Sequence, residues 1–469
     1  MSVPPRGKRR QPAAAPRPAR PKRGMRTAIH TGWPLATIAA LSLAAGNLGS
    51  AGTPTQPRTP PVVSAAVAPS GPPTPLLAKG RGVDWWFAYK FGSDSFPSQP
   101  GDPARSCPFG GALRRDGTNF SQRYAFASSA NPVLVDGPGL IGTGTGDPVG
   151  ATFDQIYNGN YYYVTWNDQF YNDPERDGTA CDDKQCGKPW GHSKGILAWD
   201  QAGNGVLLQV TTPSWPGSGS ARIGRADGNT LGCVSNDNNL SNAQNFFALR
   251  LGRDDLKIVL RALAVASVST DVNDSQIVNR IVNGQRSPVD IDQLVAALGH
   301  ISGDKTYLDQ QLSSGVRLLV KPSALHVPAW QFVSSVLGGE NLRTATWWAY
   351  PKIPSTRSSA DVHCWDSSLP TPSGRVEVSV SGSWGGTPLA FTGGPNHAKL
   401  GVSLPGGHHY AIFGDLNQQG RLGTADSPNA AGCDSSQNGR GGMFFVLQNQ
   451  ALSDSLSKLI TGKIAAYPD

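Results

Sequence analysis

Apolar residues in this chain recur mostly in short runs typical of buried strands, with fewer stretches at helical spacing. The strand patterns are rich in aromatic and β-branched residues and fall at 82–91, 161–169, 344–350, 376–380 and 443–447. Apolar spacing predicts helices at 289–299, 327–337 and 452–464. Another short helix is predicted at 241–251, where Ser241 and Gln244 fit a capping box. Strands and helices mixed along the whole chain predict an α/β (mixed α+β) fold.

Two His-x-Lys pairs, His192 with Lys194 and His397 with Lys399, each open a predicted strand that turns back into a second strand. Side chains at positions i and i+2 of a strand point to one face, so each pair is expected to present an imidazole beside an ammonium group. The ammonium neutralises the charge of a phosphate, and the imidazole can attack phosphorus or donate a proton. Two such hairpins predict one phosphate site built by two halves of the chain.

Composition along the chain predicts four segments. Residues 1–52 are interpreted as a basic leader and signal peptide, and residues 53–79 as a Pro/Thr/Ser-rich linker. The first His-x-Lys half is expected at 80–253 and the second at 254–469.

The apolar stretch at 33–45, followed by small residues at 47–52, is typical of a secretory signal peptide and is short for a membrane span. An N-terminal membrane anchor is the alternative. We therefore expect a secreted or periplasmic protein with no membrane association beyond the signal peptide.

The net charge of +8 does not describe the body of the protein. Nine of the 41 Lys and Arg residues lie in residues 1–50, which contain no Asp or Glu, so 32 basic residues remain against 33 acidic ones. This balance excludes nucleic-acid binding through a generally basic surface and requires a local basic site.

Six cysteines in an exported chain indicate disulfides. The expected pairs are Cys181–Cys186, Cys364–Cys433 and, for the remaining two, Cys107–Cys233. The sequence has no Cys-x-x-Cys pair and no His-Glu-x-x-His run, so we expect neither a metal site nor another cofactor.

Six short motifs occur in a fixed order along the chain. They are Val83-Asp84-Trp85, Asn167-Asp168-Gln169, Gly191-His192-Ser193-Lys194-Gly195, His397-Ala398-Lys399, Gly414-Asp415-Leu416-Asn417 and Arg440-Gly441-Gly442. This ordered set resembles the deoxyribonuclease II (acid deoxyribonuclease) family, which belongs to the wider phospholipase D-like superfamily.

The resemblance implies two pseudo-symmetric phospholipase D-like α/β/α sandwich halves that share one active site, with both half-sites supplied by one chain. It implies an endonuclease that hydrolyses DNA without a metal at acid pH and leaves 3′-phosphate and 5′-hydroxyl ends. The implied catalytic residues are His192, Lys194, His397 and Lys399.

The residues expected to support the substrate phosphate are Asn417, Asp415 and Ser214. Ser214 is only the nearest candidate in the first half, which has no clear counterpart of Asn417. For Asn417, Ser214 and Asp168 a purely structural role in a turn is an equal alternative. A further departure is that Trp199 and Leu404 stand where the superfamily often has Asp.

The expected mechanism is a double displacement in which His192 attacks phosphorus and His397 protonates the leaving oxygen. Because one histidine must be neutral and the other charged, a bell-shaped pH profile on the acid side is expected. Two alternatives remain open, which are a noncatalytic secreted DNA-binding protein and another phospholipase D-like phosphodiesterase. The sequence does not indicate the oligomeric state.

For five of the 12 tryptophans, packing in the core is expected rather than base stacking. This applies to Trp85, Trp86, Trp190, Trp215 and Trp365.

Overall fold

The computed structural model describes residues 71–99, 120–169, 186–213, 215, 241–270, 281–425 and 432–468. These residues belong to one compact unit that begins at residue 66. The predicted leader and signal peptide, Ser214, and the cysteines Cys107, Cys181 and Cys233 lie outside the described residues. Helices and strands alternate through the described part of the chain, which confirms the predicted mixed α+β class.

The first half of the described chain forms an antiparallel seven-stranded sheet. Its strands are β1 (Trp85–Lys90), β2 (Tyr124–Ser128), β3 (Asn131–Asp136), β4 (Tyr162–Trp166), β5 (Gly195–Trp199), β6 (Gly205–Val210) and β7 (Gln244–Leu251). They are ordered β3-β2-β1-β7-β6-β5-β4 across the sheet.

The second half forms another seven-stranded sheet and a separate hairpin. The strands are β8 (Leu308–Gln311), β9 (Arg317–Lys321), β10 (Leu342–Ala345), β11 (Val376–Val378), β12 (Ser381–Trp384), β13 (Thr387–Ala390), β14 (Leu400–Ser403), β15 (Tyr410–Gly414) and β16 (Gly442–Gln448). The sheet order is β11-β10-β14-β15-β16-β9-β8, with β10 and β11 parallel and all other neighbours antiparallel, while β12 pairs with β13.

Five α-helices accompany the sheets in the described residues. They are α1 (Pro148–Tyr157), α2 (Arg253–Val265), α3 (Val289–Ala296), α4 (Ala329–Val336) and α5 (Gln450–Ile460). The last three confirm the helices predicted from apolar spacing. Local sequence explains where two helices begin, because Asp147 accepts a hydrogen bond from the Gly150 amide and Asn449 accepts one from the Leu452 amide.

Both faces of each sheet are buried, which explains the strongly apolar strands. The inner faces of the two sheets share one core with α2 and α5, and Phe87 of β1 stacks on Phe413 of β15 at a centroid distance of 4.2 Å. The outer face of the first sheet packs on α1, and that of the second packs on α4. Trp85 and Trp86 lie in these cores, as predicted, on opposite faces of β1.

The helix predicted at 241–251 is wrong, because Gln244–Leu251 is the strand β7. β7 lies between β1 and β6 and pairs with both, so its apolar residues are buried on both faces of the sheet. A continuous apolar run does not distinguish a central strand from a buried helix, and here strand pairing decides the outcome. The strand predicted at 344–350 is also shorter, since β10 ends at Ala345.

The two sheets share one order of strands. Reading across each sheet, β4-β5-β6-β7-β1 corresponds to β10-β14-β15-β16-β9. In both series a His-x-Lys pair immediately precedes the second strand, and a helix, α2 or α5, follows the fourth strand along the chain.

The disulfide predicted between Cys364 and Cys433 is confirmed, with the two Cα atoms 5.4 Å apart. Cys186 is also disulfide-bonded, but its predicted partner lies outside the described residues. Residues 71–79, the last part of the predicted linker, contact α1, because the amides of Thr74 and Leu76 donate hydrogen bonds to the side chains of Gln155 and Thr152. No helix within the described residues is long and apolar enough to cross a membrane.

Candidate active site

Both His-x-Lys pairs line a single pocket of about 490 Å³. His192 and Lys194 enter it from the first half of the chain, and His397 and Lys399 from the second. His192, Lys194 and Lys399 are buried and His397 is partly buried, so the pocket brings two imidazoles and two ammonium groups together with little contact with solvent.

The two pairs precede their strands rather than lying in them, which corrects the prediction from the sequence. β5 and β14 begin only after Lys194 and Lys399, although both predicted hairpins, β5–β6 and β14–β15, are present. Each histidine backbone is instead held by the opposite sheet. The His192 amide donates to the carbonyl of Gly441, and the His397 amide donates to the carbonyl of Ala243, both at 2.8 Å.

Hydrogen bonding fixes the proton of His192. Its Nδ1 lies 2.7 Å from the backbone carbonyl oxygen of Asp415. Since a carbonyl oxygen only accepts, Nδ1 carries the hydrogen, and in the neutral ring Nε2 keeps the lone pair. Nε2 lies 3.9 Å from a carboxylate oxygen of Asp168, which is beyond hydrogen-bonding distance. Neutral His192 is therefore oriented as a nucleophile or base through Nε2.

Asp168 is the centre of a buried ionic cluster on the first-half side of the pocket. Its carboxylate accepts hydrogen bonds from the ammonium of Lys194 and, at 2.7 Å, from the guanidinium of Arg440. Arg440 also donates to the backbone carbonyls of Cys186, Trp190 and Gly191 at 2.7–2.9 Å. These hydrogen bonds connect the segment before His192 to Arg440, which directly precedes Gly441, the residue that holds the His192 amide.

The charge state of Asp168 follows from this cluster. Burial opposes ionisation, but Lys194, His192 and Arg440 outweigh it and hold the pKa of the Asp168 carboxyl well below its usual range. Asp168 is therefore a carboxylate at neutral and mildly acidic pH. The Asp168 carboxylate compensates the positive charge of Lys194.

The second-half side of the pocket is built differently. β4 ends at Trp166, which pairs with Gly195, and β10 ends at Ala345, which pairs with Leu400. Two residues beyond these equivalent ends stand Asp168 in the first half and Trp347 in the second. His397 consequently packs against an indole ring at a centroid distance of 5.7 Å, where His192 faces a carboxylate.

Lys399 has no ion-pair partner among the described residues. Its ammonium donates to the backbone carbonyl of His397, and its side chain is almost fully buried. Burial and the nearby Lys194 lower the pKa of Lys399 well below its ordinary value. An anion in the pocket would stabilise the charged form of Lys399 against both burial and the repulsion by Lys194. Lys399 is therefore the cation best placed to bind an anion.

Both histidines are held toward the neutral form by their surroundings. Burial lowers the pKa of His192 well below 6.5, Lys194 lowers it further, and Asp168 opposes these effects. Burial, Lys399, Lys194 and Lys90 lower the pKa of His397 well below 6.5. A protonated imidazole is therefore populated only under acidic conditions or beside a bound anion.

The three residues predicted to support the phosphate are placed differently. Asn417 lines the pocket, and its side-chain nitrogen donates to the side chain of Gln419 at 3.1 Å. Asp415 is buried behind the pocket, where it accepts hydrogen bonds from Gln209 and from the Met443 amide, and burial raises its pKa to about 6. Ser214 lies outside the described residues.

Trp347 and Thr211 line the pocket but were not singled out from the sequence. The order of strands would have indicated Trp347, because it occupies the position equivalent to Asp168, but that equivalence is visible only after pairing is known. Arg440 was part of a sequence motif, but the motif did not indicate its contact with Asp168. The predicted burial of Trp190 and Trp215 is confirmed, while Trp365 is only partly buried.

No group of three or more His, Cys, Asp or Glu residues in the described ranges is arranged to hold a metal ion. The expectation of a metal-free site rests on the sequence.

Two imidazoles beside three buried cations are suited to binding an anionic ester. Comparison with protein-family models matches the deoxyribonuclease II model over residues 75–463, which includes every residue of the pocket. The chain belongs to the deoxyribonuclease II family, and it is therefore a hydrolase that acts on DNA. No curated protein matches the chain.

Proposed function

We propose that this deoxyribonuclease is a metal-independent acid endonuclease that leaves 3′-phosphate and 5′-hydroxyl ends through a phosphohistidine intermediate. The observation that carries the proposal is the pairing of His192, with its Nε2 lone pair fixed toward the pocket, and His397 in one pocket with Lys194 and Lys399. Such a site supplies a nucleophile, a proton donor and charge stabilisation from the chain itself.

In the first step Nε2 of neutral His192 attacks the phosphorus of a DNA phosphodiester. The new N–P bond forms as the P–O5′ bond breaks, and protonated His397 gives its proton to the leaving O5′. The strand on the 3′ side of the break departs with a 5′-hydroxyl group. The other strand stays attached to His192 through its 3′-phosphate.

In the second step His397, now neutral, removes a proton from a water molecule that attacks the same phosphorus. The N–P bond breaks, its electron pair returns to Nε2 of His192, and the 3′-phosphate product is released. His397 is again protonated, so the cycle returns the site to its starting charge.

The cations take the part that a metal ion takes in other phosphodiesterases. Lys399, which lacks a carboxylate partner in the described residues, is assigned to the non-bridging oxygens, where negative charge increases in the transition state. Lys194 assists from the Asp168 side, and Asn417 donates a further hydrogen bond. Asp415 is a positioning residue, because its carbonyl orients His192 from behind the pocket.

The membership in a DNA-hydrolysing family favours DNA over a lipid or a small phosphodiester as substrate. The shared strand order of the two sheets supports an internal pseudo-twofold of the phospholipase D-like kind, with half-sites at 80–253 and 254–469 from one chain. The reciprocal hydrogen bonds of His192 to Gly441 and of His397 to Ala243 also support this symmetry, since each half anchors the other half's histidine.

The proposed activity predicts cleavage of supercoiled plasmid at about pH 5 in excess EDTA. The parent protein should nick and linearise the plasmid, and the His192→Ala and His397→Ala variants should not. His408→Ala is the matched control, because His408 lies outside the pocket and is bound to Glu340. Cleavage that is lost in EDTA and restored by a divalent cation would contradict the metal-independent mechanism.

The depressed histidine pKa values predict how the rate depends on pH. The protonated form of His397 is lost as pH rises through its pKa, which lies well below 6.5 in the free protein, so kcat/KM should fall from acid pH toward neutrality. A bound phosphodiester anion raises that pKa, so the descending limb of kcat should lie at higher pH than that of kcat/KM. Initial rates on a short oligonucleotide at several pH values measure both limbs. A rate that climbs steadily through about pH 9 would exclude His397 as the acid.

Export through the segment at 1–52 is proposed from its apolar stretch and is supported by the Cys364–Cys433 disulfide, since such bonds persist in oxidising compartments. Sequencing the amino terminus of the protein recovered outside the cytoplasm tests it. An intact leader on that protein would contradict cleavage.

A further inference from the structure

One wall of the pocket carries an aromatic side chain that the proposed chemistry does not use. Tyr350 lines the pocket, yet it is 89% exposed, the largest exposure among the large hydrophobic residues of the described chain. Trp347 precedes it by three residues and packs on the ring of His397. Tyr350 therefore offers an open aromatic face at the edge of the pocket that holds both histidines.

The segment that presents Tyr350 is held firmly from behind. The side-chain nitrogen of Gln419 donates to the carbonyl of Ala349 at 3.0 Å, and the Gly420 amide donates to the carbonyl of Pro351 at 3.0 Å. The indole nitrogen of Trp348 donates to the carbonyl of Ile353 at 2.7 Å. The ring of Tyr350 is therefore exposed on a fixed backbone rather than on a free loop.

The same hydrogen bonds connect Tyr350 to the phosphate-binding residues. Asn417, assigned to the phosphate, donates to Gln419, and Gln419 in turn holds the backbone of the aromatic segment. The pocket that Tyr350 lines also contains the side chains of Lys194 and Lys399, which supply positive charge. An aromatic face next to a cation and a phosphate site is the arrangement that binds an unstacked nucleotide.

We propose that Tyr350, supported by Trp347, is a nucleobase-stacking subsite for the nucleotide on the 3′ side of the cleaved bond. This inference rests on the proposed function. The side follows from the chemistry, because His397 protonates the O5′ of that nucleotide and Trp347 packs directly on His397. The base stacks on the phenol ring, which requires that it leaves the base stack of the strand.

The test uses two single-stranded oligonucleotides in which one linkage is a phosphodiester and the others are methylphosphonates. In one, the nucleotide on the 3′ side of the phosphodiester carries its base, and in the other that nucleotide is abasic. Both present the same reacting atoms. The parent, Tyr350→Ala and Tyr350→Phe are compared by kcat and KM at acid pH in EDTA.

The parent should cleave the base-bearing substrate with a kcat/KM about tenfold above that of the abasic one, mainly through KM, because stacking binds ground state and transition state alike. Tyr350→Phe should keep this preference. Tyr350→Ala should lose it while cleaving the abasic substrate as the parent does. Because Tyr350 is exposed, its replacement should leave the unfolding temperature unchanged.

Equal cleavage of the two substrates by the parent would overturn the subsite and leave the nuclease proposal intact. If Tyr350→Ala still prefers the base-bearing substrate over the abasic one, the subsite is also overturned and the nuclease proposal is unaffected. A third oligonucleotide, abasic on the 5′ side of the phosphodiester instead, tests the side: if Tyr350→Ala removes a preference for that 5′ base, the assigned side is overturned. If the parent cleaves neither oligonucleotide but cleaves plasmid after a divalent cation is added, the proposed mechanism fails, and the subsite fails with it.

Discussion

Replacing His192 with asparagine should lower the rate of DNA cleavage by about 10⁵-fold, and replacing His397 should have an effect of the same size on ordinary DNA. Both expectations follow from a double displacement that requires one histidine as nucleophile and the other as acid. A loss of activity in each variant does not by itself distinguish the nucleophile from the acid. The two roles separate only when the leaving group no longer needs a proton.

A 5′-bridging phosphorothiolate linkage provides that leaving group, because a thiolate departs without protonation. His397→Asn should cleave such a linkage at close to the parent rate in a burst of one equivalent per enzyme. It should then stop, because no base activates the water that hydrolyses the phosphohistidine. His192→Asn should stay inactive on the same substrate, because it lacks the nucleophile. Rapid quenching and mass analysis of the trapped enzyme measure the burst and locate the phosphoryl group.

His408→Asn is the matched control, since it removes an imidazole that contacts Glu340 outside the pocket, and it should behave as the parent on both linkages. If the phosphorothiolate linkage is cleaved by His192→Asn and not by His397→Asn, then His397 is the nucleophile and His192 is the acid. The hydrogen bond from Nδ1 of His192 to the Asp415 carbonyl argues for His192 as the nucleophile, because it leaves Nε2 unprotonated. The described residues offer no comparable bond to the ring of His397.

The sequence indicated that the two His-x-Lys pairs meet in one pocket, but it did not indicate the contacts that place them there. The His-x-Lys pairs could be found because residue types at fixed short spacing carry the chemistry. Their position just before the strands could not be found, because it depends on the bonds of His192 to Gly441 and of His397 to Ala243 across the two sheets. Gln244–Leu251 was mistaken for a helix for the same reason, since only its neighbours β1 and β6 make it a strand.

The ionic cluster shows most clearly what local pattern cannot supply. Asp168 and Arg440 are 272 residues apart in sequence and 2.7 Å apart in space. Each was noticed within a short motif, but nothing in either motif indicates the other as its partner. Trp347 belongs to no sequence motif. Its place in the pocket follows only from the strand register, which puts it at the position where the first half has Asp168.

The Asp168→Asn variant should lower the free energy of unfolding by about 3–5 kcal/mol at neutral pH, because it leaves two buried cations without their carboxylate. Lys194 and Arg440 both donate to Asp168, whose side chain is fully buried. Activity should also fall, since Asp168 fixes the ammonium of Lys194, which lines the pocket. Denaturant unfolding of the two proteins measures the difference. The exposed Asp454→Asn, on α5, is the control and should change stability little.

A second substitution separates the ionic contribution from a simple loss of packing. In Asp168→Asn/Lys194→Met one of the two uncompensated cations is removed, so the double variant should be more stable than Asp168→Asn alone. Its activity should remain below that of the parent, because the double variant also lacks the Lys194 ammonium, which lines the pocket. If the double variant is less stable than the single one, repulsion between unpaired buried cations is not the cause of the loss.

The dependence of this loss on pH links the cluster to acid function. The folded pKa of Asp168 is depressed by its cations, so its stabilising contribution is complete above the unfolded pKa of about 3.9 and is lost only as pH falls further toward the folded value. The difference between the parent and Asp168→Asn should therefore be constant from neutral pH to about pH 4 and shrink below it. The histidines need acid to gain a proton, and the carboxylate that holds the pocket together keeps its charge through that same range. A difference that shrinks already at about pH 6 would mean that Asp168 titrates where the enzyme works, and the cluster would then be part of the pH response rather than its fixed support.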